Sequence, residues 1–284
     1  MFLITNKKKK FPERKYGPTK KIMLFTNARN EKHMKEWATH HLLIGFDYIV
    51  IFDHKSSNPL MDEFRFFDKR VKIIRCNLDN PIKMKLMNFA IQIAKLFKID
   101  WFLYLDADEY LILNKFEGAK KMLNNFPFAH SLSINWLLFG SNNLTKEPEG
   151  LILENYTKST ENLDQHVKTF VRPLEIENCE NPHYFNMKFK NRMFNVDGYR
   201  MDPTLNYAFH KPILNYDTVG AYIAHYVNQS EETYYQRKIL LPQDDTGHMR
   251  DKNENLHSQY NDIVNENPKN KYVPNIKKFL EKFI

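Results

Sequence analysis

The feature that most constrains the fold is a repeated alternation of short apolar segments with amphipathic ones between residues 22 and 105. Mostly apolar runs of strand length occur at residues 22–26, 48–52, 71–75 and 101–105. Segments with apolar side chains three or four positions apart, as in a helix, occur at residues 31–43 and 82–97. Buried strands that alternate with helices are typical of a parallel sheet with right-handed crossovers. We therefore predict an α/β fold with a central, mostly parallel sheet flanked by helices.

Polar clusters follow three of these four strands. The first strand runs into Thr26-Asn27-Ala28-Arg29-Asn30-Glu31, the second ends at Asp53, and the fourth ends in Asp106-Ala107-Asp108-Glu109. Ligands of such sheets bind beyond the carboxyl ends of the strands. Because all three clusters fall at that edge, we expect a binding site there.

The acidic cluster after the fourth strand indicates the chemistry of this site. Side chains two apart in an extended segment point to the same face, so Asp106 and Asp108 would share one. Paired carboxylates suit Mg²⁺ or Mn²⁺, and crowding them against the end of an apolar strand would be costly without a cation. We predict a metal here that bridges the two phosphates of a nucleotide-sugar.

The second half of the chain is less regular. Strands are predicted at residues 133–139, 167–171 and 222–227, and a helix is predicted from Ser230 to about Leu240, with the serine as its cap. We divide the chain into a flexible basic arm (1–20), an α/β domain (21–250) and a C-terminal helical tail (251–284). Within the domain, residues 21–115 form the nucleotide-sugar half and residues 116–250 the acceptor half.

Composition argues against several other classes of protein. The formal charge is +8, but much of the excess lies in the N-terminal arm, and no RNA-binding or zinc-finger signature is present. Cys76 and Cys179 are too few for a disulfide framework. No apolar run is long enough to span a membrane, and the N-terminal charges follow the apolar patch, unlike a signal peptide. We expect a cytoplasmic protein with no membrane span and no nucleic-acid partner.

Several sequence strings resemble the family 92 glycosyltransferases and their family 2 relatives. They are TNARNE (26–31), EW (36–37), HHLLIGFDYIVIFDHKSSN (40–58) and WFLYLDADEYL (101–111), followed by WLLFG (136–140), KTFVRP (168–173) and HYVNQS (225–230). Their order along residues 22–240 matches the family order. The chain departs from the family at Ala224, where an Asn is common, and at Asn228-Gln229, where a lysine is frequent.

The resemblance implies a GT-A (Rossmann-like) fold with an acceptor-side subdomain, a UDP-sugar donor and Mn²⁺ or Mg²⁺. The acceptor would be a glycan, a protein or a lipid. The metal ligands implied are Asp106, Asp108 and His225. The donor-binding residues predicted from the resemblance and the strand ends together are Thr26, Ala28, Arg29, Asn30, Asp53, Lys85, Asp106, Ala107 and Asp108.

The resemblance also implies inversion at the anomeric carbon, which requires a general base near the acceptor hydroxyl. Among the carboxylates of the second half we favour Asp164 or Asp197 over Asp244 and Asp245. The acceptor-binding candidates are Trp136 and Tyr184, because flat rings stack on sugars, and His183, which lies beside Tyr184. Lys83 and Lys168, like Lys85, could offset phosphate charge.

Two other functions remain open from the sequence. A non-catalytic protein that binds nucleotide-sugars or polyanions could retain the same scaffold. A sugar nucleotidyltransferase would share the α/β layout and the metal-bound nucleotide. The second alternative is disfavoured, because its glycine-rich phosphate loop is missing from Thr26–Glu31.

Overall fold

The computed structural model describes residues 16–201, 214–252 and 257–283. The strands are β1 (Ile22–Ala28), β2 (Tyr48–His54), β3 (Val71–Cys76), β4 (Trp101–Tyr104), β5 (Glu109–Leu113), β6 (Ser131–Leu138), β7 (Lys158–Ser159), β8 (Val167–Val171), β9 (Ile176–Asn178), β10 (Asn186–Met187), β11 (Met193–Asn195), β12 (Ala221–His225) and β13 (Ile263–Val264). The α-helices are α1 (Met34–Leu43), α2 (Leu60–Glu63), α3 (Lys83–Leu96), α4 (Ala119–Asn124), α5 (Ile152–Asn155), α6 (Glu231–Tyr234) and α7 (Asn267–Leu280). A π-helical segment, Tyr235–Ile239, continues α6.

One large sheet organises the molecule. Its strand order is β3-β2-β1-β4-β8-β6-β12-β5, with β11 paired beside β6. Strands β1 to β4 are parallel, β8 is antiparallel to both of its neighbours, β12 is parallel to β6, and β5 is antiparallel to β12. The predicted α/β fold, with a central, mostly parallel sheet flanked by helices, is confirmed.

The apolar runs become strands because both faces of the sheet are covered. All seven side chains of β1 are buried, and they alternate between two cores. Leu24 faces the core that contains Trp37 of α1, whereas Phe25 faces the core that contains Leu86 of α3. A strand covered on both sides has no solvent face, which explains its continuous hydrophobicity.

A sharp turn after β4 brings the acidic cluster against the end of β12. The chain leaves β4, turns through residues 105–108 and re-enters the sheet as β5, which pairs with β12 so that Glu109 lies opposite His225. Tyr226 N donates to Asp108 O at 2.9 Å, which extends this pairing. The cluster and the histidine, which are distant in sequence, are thereby fixed side by side.

The two predicted terminal segments differ in what the structure shows of them. Residues 1–15 of the predicted arm lie outside the described residues, but Tyr16 is docked: its hydroxyl donates to Glu175 at 2.6 Å, and the Arg172 guanidinium lies 3.7 Å from its ring centre. The predicted tail contains α7, which packs on α1 and α5. The proposed division into arm, domain and tail stays a prediction. None of the helices in the described ranges is long and apolar enough to cross a membrane.

Candidate active site

A cavity of about 340 Å³ opens at the carboxyl ends of β1 and β4. This volume is in the range of small-molecule sites. The residues that line it come from both halves of the chain: Asn27, Arg29, Glu31, Lys83, Asp106, Ala107, Asp108, Trp136, Lys168, Pro182, His183, His225, Val227, Arg237, Lys238, Leu241, Pro242, Gln243, Asp244, Asp245 and Arg250. Its position at this edge follows from the parallel sheet.

Asp106 is held between two buried lysines. Lys83, the first residue of α3, donates to Asp106 Oδ1, and Lys168 of β8 donates to Oδ2 at 2.9 Å. Lys83 also donates to Asn27 Oδ1 at 3.1 Å. Burial alone would raise the pKa of Asp106, but the two ammonium groups hold it well below its usual range. Asp106 is therefore an ionised carboxylate with a cation at each oxygen.

Asp108 is neutralised from the other side of the cavity. Its Oδ2 accepts from Arg237 Nη2 at 3.1 Å and from Lys238 Nζ at 3.2 Å. Arg237 also donates through Nε to Glu31 at 3.0 Å, which links the first loop to the π-helical segment. Despite a burial that opposes ionisation, Lys238, Arg237 and His225 keep the pKa of Asp108 far below normal. Such π-helical segments are frequent at functional sites.

The second oxygen of Asp108 is the distinctive atom of the cavity. Asp108 Oδ1 is buried and has no hydrogen-bond partner, while the imidazole Nε2 of His225 lies 3.5 Å away. One cation bound at about 2.1–2.2 Å to each atom would accommodate this spacing.

The three predicted metal ligands are not assembled as a ready-made cage. Among the described residues, no three His, Cys, Asp or Glu side chains form a group that could hold a metal ion. The reason is electrostatic: both oxygens of Asp106 are taken by lysines. The two predicted ligand atoms that face each other without a lysine between them are Asp108 Oδ1 and His225 Nε2, whereas Asp106 is held by lysines.

Behind these residues, Glu109 and Lys168 form a buried layer. Glu109 is fully buried and its Oε2 accepts from Asp106 N at 2.7 Å, which fixes the turn. Burial raises the pKa of Glu109. Lys168 lies 3.6 Å from the same carboxylate. Burial would lower the pKa of Lys168, but Asp106 and Glu109 outweigh it and raise that pKa.

An aromatic wall bounds the cavity on the side of β6. The Trp136 ring lies 4.4 Å from the His225 ring and 5.0 Å from the His183 ring, and it stacks on His166 at 4.9 Å with an interplanar angle of 18°. Burial and the nearby Lys168 lower the pKa of His183 to about 3, so this imidazole is neutral. Two of the flat rings that line the cavity, the indole of Trp136 and the imidazole of His183, are therefore uncharged.

Residues 241–250, which we call the strap, form the remaining wall. Asp244 fastens the strap at two points: its Oδ2 accepts from Asn27 Nδ2 at 2.5 Å, and its carbonyl accepts from the amides of Ile82 and Lys83 at 2.8 and 2.9 Å. The second contact satisfies amides at the start of α3. The strap thus ties the C-terminal part of the cavity to β1 and α3.

Of the predicted donor residues, Arg29, Asp106, Ala107 and Asp108 line the cavity. Five do not: Thr26, Ala28, Asn30, Asp53 and Lys85. Thr26 and Ala28 are buried within β1. Asn30 bonds the second loop, accepting from Ser57 N at 2.8 Å. Lys85 lies on the exposed face of α3.

Asp53 has a structural role instead of the predicted nucleoside contact. It is fully buried, and its Oδ2 accepts from Arg75 at 2.7 Å and from Leu60 N at 3.1 Å. Burial alone would raise its pKa, but the hydrogen bonds from Ser56, Arg75 and Leu60 lower it. Because these partners occupy its oxygens, Asp53 anchors the turn after β2.

Of the predicted acceptor residues, Trp136 and His183 line the cavity, whereas Tyr184 packs against the core on the α3 side of the sheet. Asp164 and Asp197, the two favoured candidates for the general base, lie far from each other. Asp164 is next to the aromatic wall, where it accepts from His166 Nδ1 at 2.6 Å. Asp197 accepts from Gly220 N at the start of β12, the opposite end of that strand from His225. The residues that line the cavity include neither Asp164 nor Asp197, so the structure places neither predicted base in it.

Several lining residues were not identified from the sequence. Asn27 and Glu31 lie within the first polar cluster, so a complete reading of that loop could have included them. Arg237, Lys238 and Arg250 follow no motif that predicts a site. They reach the cavity through the docking of the π-helical segment and the strap, which local patterns do not specify.

No protein-family model and no curated protein matches this chain. Among solved structures, it is similar to HddC from Yersinia pseudotuberculosis, with a TM-score of 0.39 and 11% identity over 76% of this chain and 96% of that one. It is also similar to mannose-1-phosphate geranyltransferase from Thermus thermophilus, with a TM-score of 0.31 and 11% identity over 54% of this chain and 50% of that one. Likenesses of this size carry no information about the chemistry of the cavity.

Proposed function

We propose that this protein is a metal-dependent glycosyltransferase of the GT-A type. It would transfer a sugar from a UDP-sugar to a glycan, protein or lipid acceptor with inversion. The observation that carries the proposal is the buried Asp108 Oδ1, which accepts no hydrogen bond and lies 3.5 Å from His225 Nε2, inside a cavity at the carboxyl ends of parallel strands.

Asp108 and His225 would hold Mn²⁺ or Mg²⁺ in this site. When bound, the cation supplies positive charge opposite the diphosphate and so makes UDP a better leaving group. The charge balance of the cavity supports such a need: six Lys or Arg side chains and five carboxylates line its described walls, which nearly cancel. A diphosphate brings further negative charge, and an added cation would compensate it.

The lining cations would position the diphosphate. Lys83, Lys168, Arg237 and Lys238 surround the two aspartates, and Arg29 enters from the first loop. A guanidinium can bind phosphate oxygens in a bidentate manner, whereas lysine acts as a point charge. Trp136, which lines the cavity next to His225, would contact a sugar ring.

The order of the sequence strings along residues 22–240 supports the same proposal independently of the cavity. In that resemblance the acidic turn Asp106-Ala107-Asp108 carries the donor. The turn lies at the cavity floor, between the loop that holds Arg29 and the segment that holds Arg237.

Calorimetry with UDP, in the presence and absence of Mn²⁺, tests the proposal. We expect binding that requires Mn²⁺, is abolished by a chelator and is weakened at least about 10-fold in Asp108→Asn and His225→Ala. Asp197→Asn is the matched control, because it also replaces a carboxylate but lies at the far end of β12. UDP binding that survives both chelation and Asp108→Asn would refute the metal-bridged donor site.

Product analysis separates the proposed activity from the two alternatives. A glycosyltransferase releases UDP from a UDP-sugar when acceptor or water is supplied. A sugar nucleotidyltransferase would instead consume a nucleoside triphosphate and a sugar 1-phosphate and release pyrophosphate. A protein that only binds nucleotide-sugars or polyanions would turn over neither mixture, and its binding to polyanions would weaken steeply with salt.

A further inference from the structure

We propose that the protein binds an anionic membrane surface through an exposed apolar and basic face at the amino ends of β1 and β4. The cavity lies at the carboxyl ends of these strands, so the inference goes beyond the proposed function and does not depend on it. We call this surface the basal face. Its residues are Leu96, Phe97, Leu174 and Phe189, with Lys20, Lys21, Lys98 and Lys188 around them.

The four large apolar side chains of the basal face are exposed. The exposed fraction is 76% for Leu96 and 56% for Phe97 at the end of α3, 68% for Leu174 and 53% for Phe189. Single exposed apolar side chains are normal on a protein surface, but a group of them marks an interaction site. Removing such side chains from water is favourable, which gives a partner a reason to cover them.

Contacts along α3 place Leu174 beside the end of this helix. Asn88 exchanges hydrogen bonds with the backbone of Cys179 at 2.9 and 3.2 Å. The Arg172 guanidinium lies 4.2 Å from the ring centre of Trp101, the first residue of β4. The chain from Arg172 to Cys179 therefore runs alongside α3, from the start of β4 towards the middle of the helix. Leu174 lies on this path, in a turn that packs against α3.

Phe189 belongs to the same surface through its neighbour Lys188. Lys188 N donates to Glu175 O at 3.0 Å, and Lys188 Nζ donates to Leu174 O at 2.6 Å. Both Lys188 and Phe189 are exposed. The basal face therefore extends from the end of α3 across the turn that holds Leu174 to Phe189.

Lysines adjoin these apolar side chains. Lys98 follows the end of α3, and the backbone N atoms of Lys20 and Lys21 donate to Asp100 Oδ2 at 2.7 and 2.9 Å, which holds them close to it. All three lysines are exposed. Within residues 16–201, 214–252 and 257–283, no ion pair involves any of the three. Their charges are therefore available to an anionic partner.

The N-terminal arm adds positive charge next to the basal face. Residues 1–15 contain six Lys or Arg side chains and one Glu. They join the described part of the chain at Tyr16, whose hydroxyl donates to Glu175 at 2.6 Å, one residue from Leu174. The carboxylates that these contacts bring to the face are Asp100 and Glu175, fewer than its lysines. The face therefore carries a net positive charge.

An anionic bilayer fits this combination of side chains better than other partners. Leucine and phenylalanine side chains can enter the boundary between headgroups and acyl chains while lysines contact acidic headgroups. A nucleic acid would engage the lysines, but its phosphates offer nothing to Leu96 or Leu174. A second copy of this chain would bring the same lysines face to face, where they repel each other.

Co-sedimentation of the full chain with lipid vesicles tests the proposal. The probes are vesicles of phosphatidylcholine alone and vesicles that also contain about 30% phosphatidylserine, whose headgroup is anionic. UDP and Mn²⁺ are left out, so the result does not depend on the proposed function. We expect binding to the anionic vesicles only. Raising the salt concentration from about 0.1 M to about 0.5 M should weaken that binding at least about 10-fold, because salt screens the lysines.

The apolar part of the face is tested by Leu96→Ser combined with Phe97→Ser. Both side chains are exposed, so the fold should be kept, and binding to anionic vesicles should weaken at least about 10-fold. The matched control is Tyr235→Ser combined with Leu240→Ser, which replaces two exposed apolar side chains at the cavity end of the molecule. The control should bind vesicles like the wild type, and thermal melts of both variants check folding.

The basic part of the face is tested by Lys20→Gln combined with Lys98→Gln. Losing two charges at an anionic surface should weaken vesicle binding at least about 10-fold. The matched control is Lys278→Gln combined with Lys282→Gln. It removes the same charge at the end of α7, a helix that packs on the core on the opposite side of the sheet from α3, and it should bind like the wild type.

Three results would overturn the proposal. The first is a wild type that does not sediment with anionic vesicles. The second is vesicle binding that the Leu96 and Phe97 substitutions weaken no more than their control does. The third is self-association or binding to a DNA duplex that these substitutions abolish, in a protein that leaves the vesicles unbound, because the face would then serve that partner instead. None of these results bears on UDP binding in the cavity.

Discussion

Replacing Lys168 with methionine should destabilise the protein strongly, because it removes the cation from a buried cluster of carboxylates. Lys168 is 1% exposed, and its Nζ lies 2.9 Å from Asp106 Oδ2 and 3.6 Å from Glu109 Oε2. Methionine matches its volume closely, so little packing is lost. Removing one partner of a buried ion pair costs about 3–5 kcal/mol of the free energy of unfolding. At about 2 °C per kcal/mol, the melting temperature should fall by roughly 6–10 °C.

The loss of stability in Lys168→Met should increase as the pH rises. Burial already raises the pKa of Glu109, and Lys168 opposes that rise. Without the lysine, the pKa of Glu109 in the folded variant rises further. In the unfolded chain Glu109 loses its proton near the ordinary glutamate pKa of about 4.3, whereas the folded variant keeps that proton to a higher pH. The stability that comes from this raised carboxyl pKa is fully present below the unfolded-state pKa. It is lost as the pH rises from the unfolded-state pKa to the folded-state pKa of Glu109. The penalty should therefore be smaller at mildly acidic pH than at mildly alkaline pH.

Urea unfolding and thermal melts of Lys168→Met at both pH values measure this penalty. Lys85→Met is the matched control, because Lys85 is an exposed lysine of α3 and its loss should change stability by no more than about 0.5 kcal/mol. Two results would refute the reasoning: a penalty for Lys168→Met as small as that of the control, or one that does not change with pH.

Two further substitutions test packing and hydrogen bonding outside the cavity. Gly140→Ala should destabilise the protein by about 1–3 kcal/mol in thermal melts, because the new Cβ would lie 2.6 Å from the carbonyl oxygens of Gln259 and Tyr260. Gly17→Ala is the control: its Cβ would meet nothing within 4 Å, so its melting temperature should be nearly unchanged. Glu36→Ala should cost about 2–4 kcal/mol in urea unfolding, since the Glu36 carboxylate accepts from Ile152 N at 2.7 Å and Leu153 N at 2.9 Å and both amides would lose their partner. A Glu36→Ala variant as stable as the wild type would show that water replaces the carboxylate.

The sequence predicted the first half of the fold well, because its signals are local. Strands that are covered on both faces must be continuously apolar, and the helices between them show one apolar face. The parallel pairing of β1, β2, β3 and β4 then follows, because connections between such strands cross over the sheet in a right-handed manner. The strand β5 was missed, since it begins directly after the acidic turn and its apolar residues read as an extension of that motif.

The candidate site was predictable only where a polar cluster follows a strand. Asp106, Asp108 and Arg29 were found in this way, His225 came from the family resemblance, and Trp136 came from the tendency of flat rings to stack on sugars. Asp53 follows a strand equally well, but Arg75 in the neighbouring β3 occupies it. A pattern along one strand cannot show which partner the adjacent strand provides. For the same reason, the sequence did not predict Arg237 and Lys238 as site residues, because their position depends on how α6 and the π-helical segment that continues it pack.

The fastening of the strap also determines when the cavity can exist during folding. The bond from Asn27 to Asp244 closes a loop of 217 residues, and contacts so distant in sequence form late. The parallel strands of the first half can pair before residues 241–250 arrive, but they then enclose no complete pocket. A nucleotide ligand would accordingly find no partner among early folding intermediates. It would leave the initial steps of refolding unchanged and act by slowing the unfolding of the finished protein.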